Sequence, residues 1–78
     1  MTSIDAQIGE RVHMQRFRRG MTVRTLAKLC GIEESSLTRK ERGQVTWLAR
    51  DIVHVAGPLG VDPGDLLPRR DSNLQPAD

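Results

Sequence analysis

Residues 34–42, ESSLTRKER, constrain the fold more than any other stretch. They sit between Gly31-Ile32 and Gly43, and Leu37 is their only apolar side chain. A helix that is polar almost all round buries too little to hold itself in place. It must be carried by its neighbours, and its outer side must face something other than a core. With 78 residues in all, the carrier is one small, locally connected domain.

The rest of the chain reads as helices with glycine stops. Ser3 is a cap for a first helix, with Ile4, Ile8, Val12 and Phe17 on one face. Arg16, Arg18 and Arg19 suit its C-terminal dipole, and Gly20 ends it. Thr22 caps a second helix, Val23 to Cys30, which turns Leu26, Ala27 and either Leu29 or Cys30 inward. Gly31 makes the turn, and Glu33 or Glu34 opens the polar third helix. Thr46 is expected to cap a fourth helix carrying Leu48, Ile52, Val55 and Ala56. Gly57-Pro58 is expected to end or kink it, because proline lacks an N–H and clashes with the preceding turn. Asp62-Pro63 starts a short fifth helix through Leu66 and Leu67. No strand alternation or repeat is present, so the fold class expected is all-α, with five helices.

Composition excludes several functions. Cys30 is the sole cysteine, so no internal disulfide forms, and no Cys/His spacing suits zinc. His13 and His54 are isolated, and no metal or other cofactor is expected. No apolar run approaches a membrane span, and the first 20 residues lack a signal-peptide core. Nor is there a nucleophile–base pair or a glycine-rich phosphate loop; an enzyme is not expected. Charge is uneven within a net +2: residues 1–50 hold ten Lys/Arg against five Asp/Glu, and residues 51–78 two against five. A basic front half suits a polyanion.

Helix, glycine turn and a second helix with a polar outer face is the arrangement of a DNA-reading helix-turn-helix. IGERV at 8–12, Arg16, GMT at 20–22, LA at 26–27, GI at 31–32, SSL at 35–37, ERG at 41–43 and LGVDPGDLL at 59–67 fall in one register. On these residues the sequence over 8–67 resembles the lambda-repressor/Cro-like (XRE-type) family. It implies a domain over residues 1–67, with the helix-turn-helix in the second and third helices, and double-stranded operator DNA as partner. Glu34, Ser35 and Arg39 fall where base-reading side chains sit, with Thr38 beside them. Arg39 suits guanine O6 and N7, and Glu34 suits cytosine N4. Phosphate contacts are expected from Arg19, Thr22, Arg24, Lys28, Lys40, Arg42 and Gln44. Arg16 and Glu41 fall in the slots of a structural ion pair rather than of DNA contacts.

The sequence also departs from that family. Val23 stands where a phosphate-clamping glutamine is usual, and Lys40 where an apolar residue is common. Trp47 is expected to cover the core. Residues 68–78 form a polar tail expected to be disordered. Within it, Arg70–Leu74 can be encoded by the reverse complement of a widespread tRNA T-arm segment, as where a gene end overlaps a phage attachment site. The function expected is a cytoplasmic, bacterial transcriptional repressor of phage-immunity or Cro-like type. It would act as homodimer or monomer, with no membrane partner and no small-molecule ligand. The alternatives are an antitoxin, a restriction-modification controller, or an interaction module without DNA binding.

Overall fold

The computed structural model describes residues 3–68; the tail expected to be disordered lies outside the described residues, apart from Pro68. Four α-helices are followed by a short 3-10 turn: α1 (Ile4–Arg18), α2 (Val23–Cys30), α3 (Glu34–Glu41), α4 (Ala49–Leu59) and the turn Pro63–Leu66. The described residues are therefore all-α, but the fifth expected helix is a single turn of four residues. Asp62 caps it by accepting from the Gly64 N–H at 3.0 Å.

Side-chain caps set the first two helix starts. Ser3 Oγ accepts from the Ala6 N–H at 3.1 Å, and Thr22 Oγ1 accepts from the Thr25 N–H at 3.1 Å. Gly31 ends α2 in the left-handed region at φ 72°, and the Ile32 N–H turns back onto the Ala27 carbonyl at 3.0 Å.

Ile8, Val12, Leu26, Leu37, Trp47, Val55, Leu59 and Leu66 form the centre of one buried cluster. α1 and α2 pack against α3 and α4, and the 3-10 turn closes the cluster against α1 and α4. α1 comes close to the end of α3 at Gly9, where a Cβ would run into the backbone carbonyls of Lys40 and Glu41. Gly43, at φ 78°, ends α3, and a Cβ there would meet the backbone and Cβ of Ala6 at 2.8 Å.

Several sequence expectations are corrected. Ile4 and Phe17 are 65% and 75% exposed, not inward. Phe17 follows Ile8 by nine residues, two and a half turns, which puts it on the far side of α1. Leu29 is exposed, so Cys30 is the residue that packs on the core. The cap of α4 is Leu48, not Thr46, because the Asp51 carboxylate accepts the Leu48 N–H at 2.9 Å. Nor does α4 stop at Gly57-Pro58. It runs on to Leu59, and Gly60 ends it at φ 69°. The His54 carbonyl, deprived by Pro58 of its amide donor, accepts the Cys30 thiol at 3.6 Å instead. Leu67, expected in the last helix, is exposed beyond the turn.

Candidate nucleic-acid interface

α3 is eight residues long, and Leu37 is its only buried side chain. Fixing that residue inward sets the direction of all the others. Glu34, Ser35, Thr38 and Arg39 then line a single open hollow on the outer face. Glu34, Ser35 and Arg39 are exposed and Thr38 is half-buried. The four side chains expected to read bases thus share one surface.

A helix anchored by one leucine needs other ties. Arg16 supplies the first. Its Nε donates to Glu41 Oε2 at 3.0 Å and its Nη2 to Glu41 Oε1 at 2.9 Å. Nη1 donates to the Met21 carbonyl at 2.9 Å, which also fixes the turn before α2. With side chains 15% and 9% exposed, this pair lies in the scaffold, and its bidentate geometry resists rotation. His13 Nδ1 lies 3.0 Å from Arg16 Nη2.

The second tie comes from α4 and the loop before it. Lys40 Nζ donates to Asp51 Oδ2 at 3.0 Å and to the Thr46 carbonyl at 3.3 Å. It also sits 5.8 Å from the centroid of the Trp47 ring. The Trp47 indole N–H donates to the Lys40 carbonyl at 2.9 Å, and the Trp47 backbone N–H donates to Asp5 Oδ1 at 2.8 Å. Burial would push the Asp51 carboxyl up, but the Leu48 N–H and the Lys40 ammonium outweigh it and hold the carboxyl below its ordinary value. Lys40, expected at a phosphate, is thus directed into the protein.

The other expected backbone-contacting residues lie on several elements. Arg24, Lys28, Arg42 and Gln44 are exposed. Arg24 Nε comes within 3.7 Å of Glu34 Oε1, which links the outer faces of α2 and α3. Arg19 Nη1 donates to Gln15 Oε1 at 2.7 Å. Thr22 Oγ1, besides capping α2, donates to Thr25 Oγ1 at 3.0 Å. Beside the hollow, Thr38 and Arg42 join Val23, Glu10 and His13 in a cleft between α1, the start of α2 and α3.

Sequence reasoning missed the Lys40–Asp51–Trp47 cluster and the Asp5 contact to Trp47. Lys40 stood out only as an unusual residue type, and nothing in the spacing pointed to Asp51. Among the described residues, no three His, Cys, Asp or Glu side chains come together as a metal would need. No described helix is long and apolar enough to cross a membrane.

Comparison with known proteins bears on the fold that carries these residues. A family model described as a helix-turn-helix domain matches residues 7–69. The crystal structure of the restriction-modification controller protein C.AhdI from Aeromonas hydrophila is 31% identical, with a TM-score of 0.76. That match covers 80% of this chain and 94% of the controller. The clp gene regulator ClgR from C. glutamicum is 23% identical with a TM-score of 0.82, covering 85% of this chain and 86% of that one. The hypothetical transcription factor NHTF from Neisseria, also 23% identical, gives 0.81 over 94% and 84%. These last two likenesses are of fold. Among curated proteins, none matches the chain.

Proposed function

The chain belongs to the XRE-type helix-turn-helix family of DNA-binding domains, and we propose that it is a sequence-specific transcriptional repressor that occupies operator DNA. The observation that carries this reading is the shared outward face of Glu34, Ser35, Thr38 and Arg39 on a helix tied down from behind. In the major groove, Arg39 bonds guanine O6 and N7 with both arms of its guanidinium. Glu34 accepts from cytosine N4 and repels a misplaced phosphate. Each such pairing contributes about 1–3 kcal/mol of discrimination. Arg19, Thr22, Arg24, Lys28, Arg42 and Gln44 hold the phosphates, and residues 1–67 form the binding unit. As a dimer, the protein would set two recognition helices about 34 Å apart on a near-palindromic site; as a monomer, it would read an asymmetric one.

Selection of bound sites from random duplexes at two salt concentrations tests this reading. The expected result is one strongly enriched motif, with the Arg39→Ala variant losing preference at a single base. Uniform weak binding with no motif overturns it.

The regulated gene separates two forms of the proposal. A phage-immunity or Cro-like role draws on the coding possibility at residues 70–74, which lie outside the described residues. Codons there other than GAT-TCG-AAC for Asp71–Asn73 remove that support. A restriction-modification controller is favoured by the 31% identity with C.AhdI, and a restriction-modification gene pair beside this one would decide for it.

A further inference from the structure

From the link between Lys40, Asp51 and Trp47 we infer that Lys40 is a positioning residue, which sets the roll of the recognition helix from the α4 side and thereby its choice of base. The inference rests on the DNA-reading role proposed for α3. Glu41 and Lys40 are consecutive, so their side chains leave the helix about 100° apart. Glu41 is held by α1 through Arg16 at 2.9 Å, and Lys40 by α4 through Asp51 at 3.0 Å. Two ties in different directions restrain a helix against rotation about its own axis more tightly than either does alone. Leu37 alone cannot supply the second restraint, since a single side chain can pivot in its pocket.

The backbone reinforces the same connection. The Trp47 indole N–H caps the Lys40 carbonyl, and Asp51 also accepts the Leu48 N–H that opens α4. Lys40, Trp47, Leu48 and Asp51 therefore form one continuous polar link from the end of α3 to the start of α4. A helix with its side chains is about 10–12 Å across, so a roll of about 10° moves a side-chain tip by about 1 Å. That is beyond the roughly 0.5 Å within which a functional group must be held to act. Arg39, next to Lys40, is the base-reading residue nearest this link in sequence.

A phosphate-binding lysine and a positioning lysine leave different traces. The test uses the full chain, the duplex enriched by selection, and duplexes altered at the base that Arg39→Ala ceases to prefer. Lys40→Met and Asp51→Asn are each expected to lose several-fold discrimination at that base, with the salt slope of the parent. The double variant is expected to do no worse than Lys40→Met alone. Lys40→Arg, which keeps the charge, is expected to retain most of the discrimination. If Lys40→Met instead lowers the salt slope by about 1 while Asp51→Asn behaves as the parent, Lys40 is a phosphate contact and the inference is overturned. Unchanged discrimination in both variants also overturns it.

A readout without DNA separates this inference from the DNA-binding proposal. Amide chemical shifts of residues 34–39 are expected to move in the same direction in Lys40→Met and Asp51→Asn. If they stay at parental values in both, the link does not position the helix, whatever the chain binds. Should Lys40→Met fail to fold, Asp51→Asn decides by the same two readouts.

Discussion

The Cys30 thiol donates to the His54 carbonyl across the α2–α4 contact at 3.6 Å, and His54 is the residue four before Pro58. An unbroken helix would give that carbonyl an amide donor from position 58, which proline lacks. Burial pushes the Cys30 thiol up from its ordinary value, which keeps it protonated and able to donate. α2 thus completes a hydrogen bond that α4 cannot make for itself.

Removing the thiol is therefore expected to cost more while the proline is there. Cys30→Ala should cost about 1 kcal/mol, from a weak S–H bond together with the packing of the sulfur against the core. In a Pro58→Ala background, where the amide returns, the same change should cost clearly less. Urea unfolding of the four proteins gives the coupling directly.

Gly9→Ala is expected to be the costliest single methyl addition in the domain. The new Cβ lies within 2.7 Å of the Lys40 carbonyl oxygen and closer still to that of Glu41. Both obstacles are backbone, so α1 and α3 must separate. A loss of about 3 kcal/mol, the upper range for overpacking, is expected in thermal unfolding. Ala at Gly57, where a Cβ meets nothing within 4 Å, is the control and should be neutral or slightly stabilising.

Breaking the Arg16–Glu41 pair from one side strands a charge that is mostly buried. Arg16→Met is expected to cost about 3 kcal/mol, at the low end for such pairs because some solvent reaches the guanidinium. Glu41→Gln should be milder, since the amide oxygen still accepts one bond. The double variant should lose less than the sum of the two, as chemical denaturation can show.

Asp51 gives stability a defined acid dependence. Its carboxyl is held below the ordinary value of 3.8 in the folded chain, so the folded state favours the ionised form. The stabilisation is complete above the unfolded value and is lost as pH falls through the lower folded one. Melting temperature should drop below about pH 4, and less steeply for Asp51→Asn than for the parent.

The helical frame was legible because it is written locally. Ser3, Thr22 and Asp62 cap through their own side chains, and Gly20, Gly31, Gly43 and Gly60 adopt the positive φ that ends or turns a segment. The outward direction of Glu34, Ser35 and Arg39 followed from Leu37 being the only apolar residue among them. What escaped was non-local. Pro58 reads as a helix breaker until a thiol 28 positions earlier is known to serve its vacant carbonyl. Lys40 reads as a surface cation until Asp51 and Trp47 close around it. Phe17 was misplaced for a simpler reason: a nine-residue spacing crosses the helix.

One anchoring leucine also makes the surface proposed to read bases interchangeable. Glu34, Ser35 and Arg39 are exposed, so their identities can change without renegotiating the fold. Single substitutions at these three positions, glycine and proline aside, should each unfold within about 0.5 kcal/mol of the parent, as melting of a set of variants would reveal. With the proposed reading role, a lineage built on this frame would acquire a new target sequence by rewriting a few codons while its architecture stays untouched.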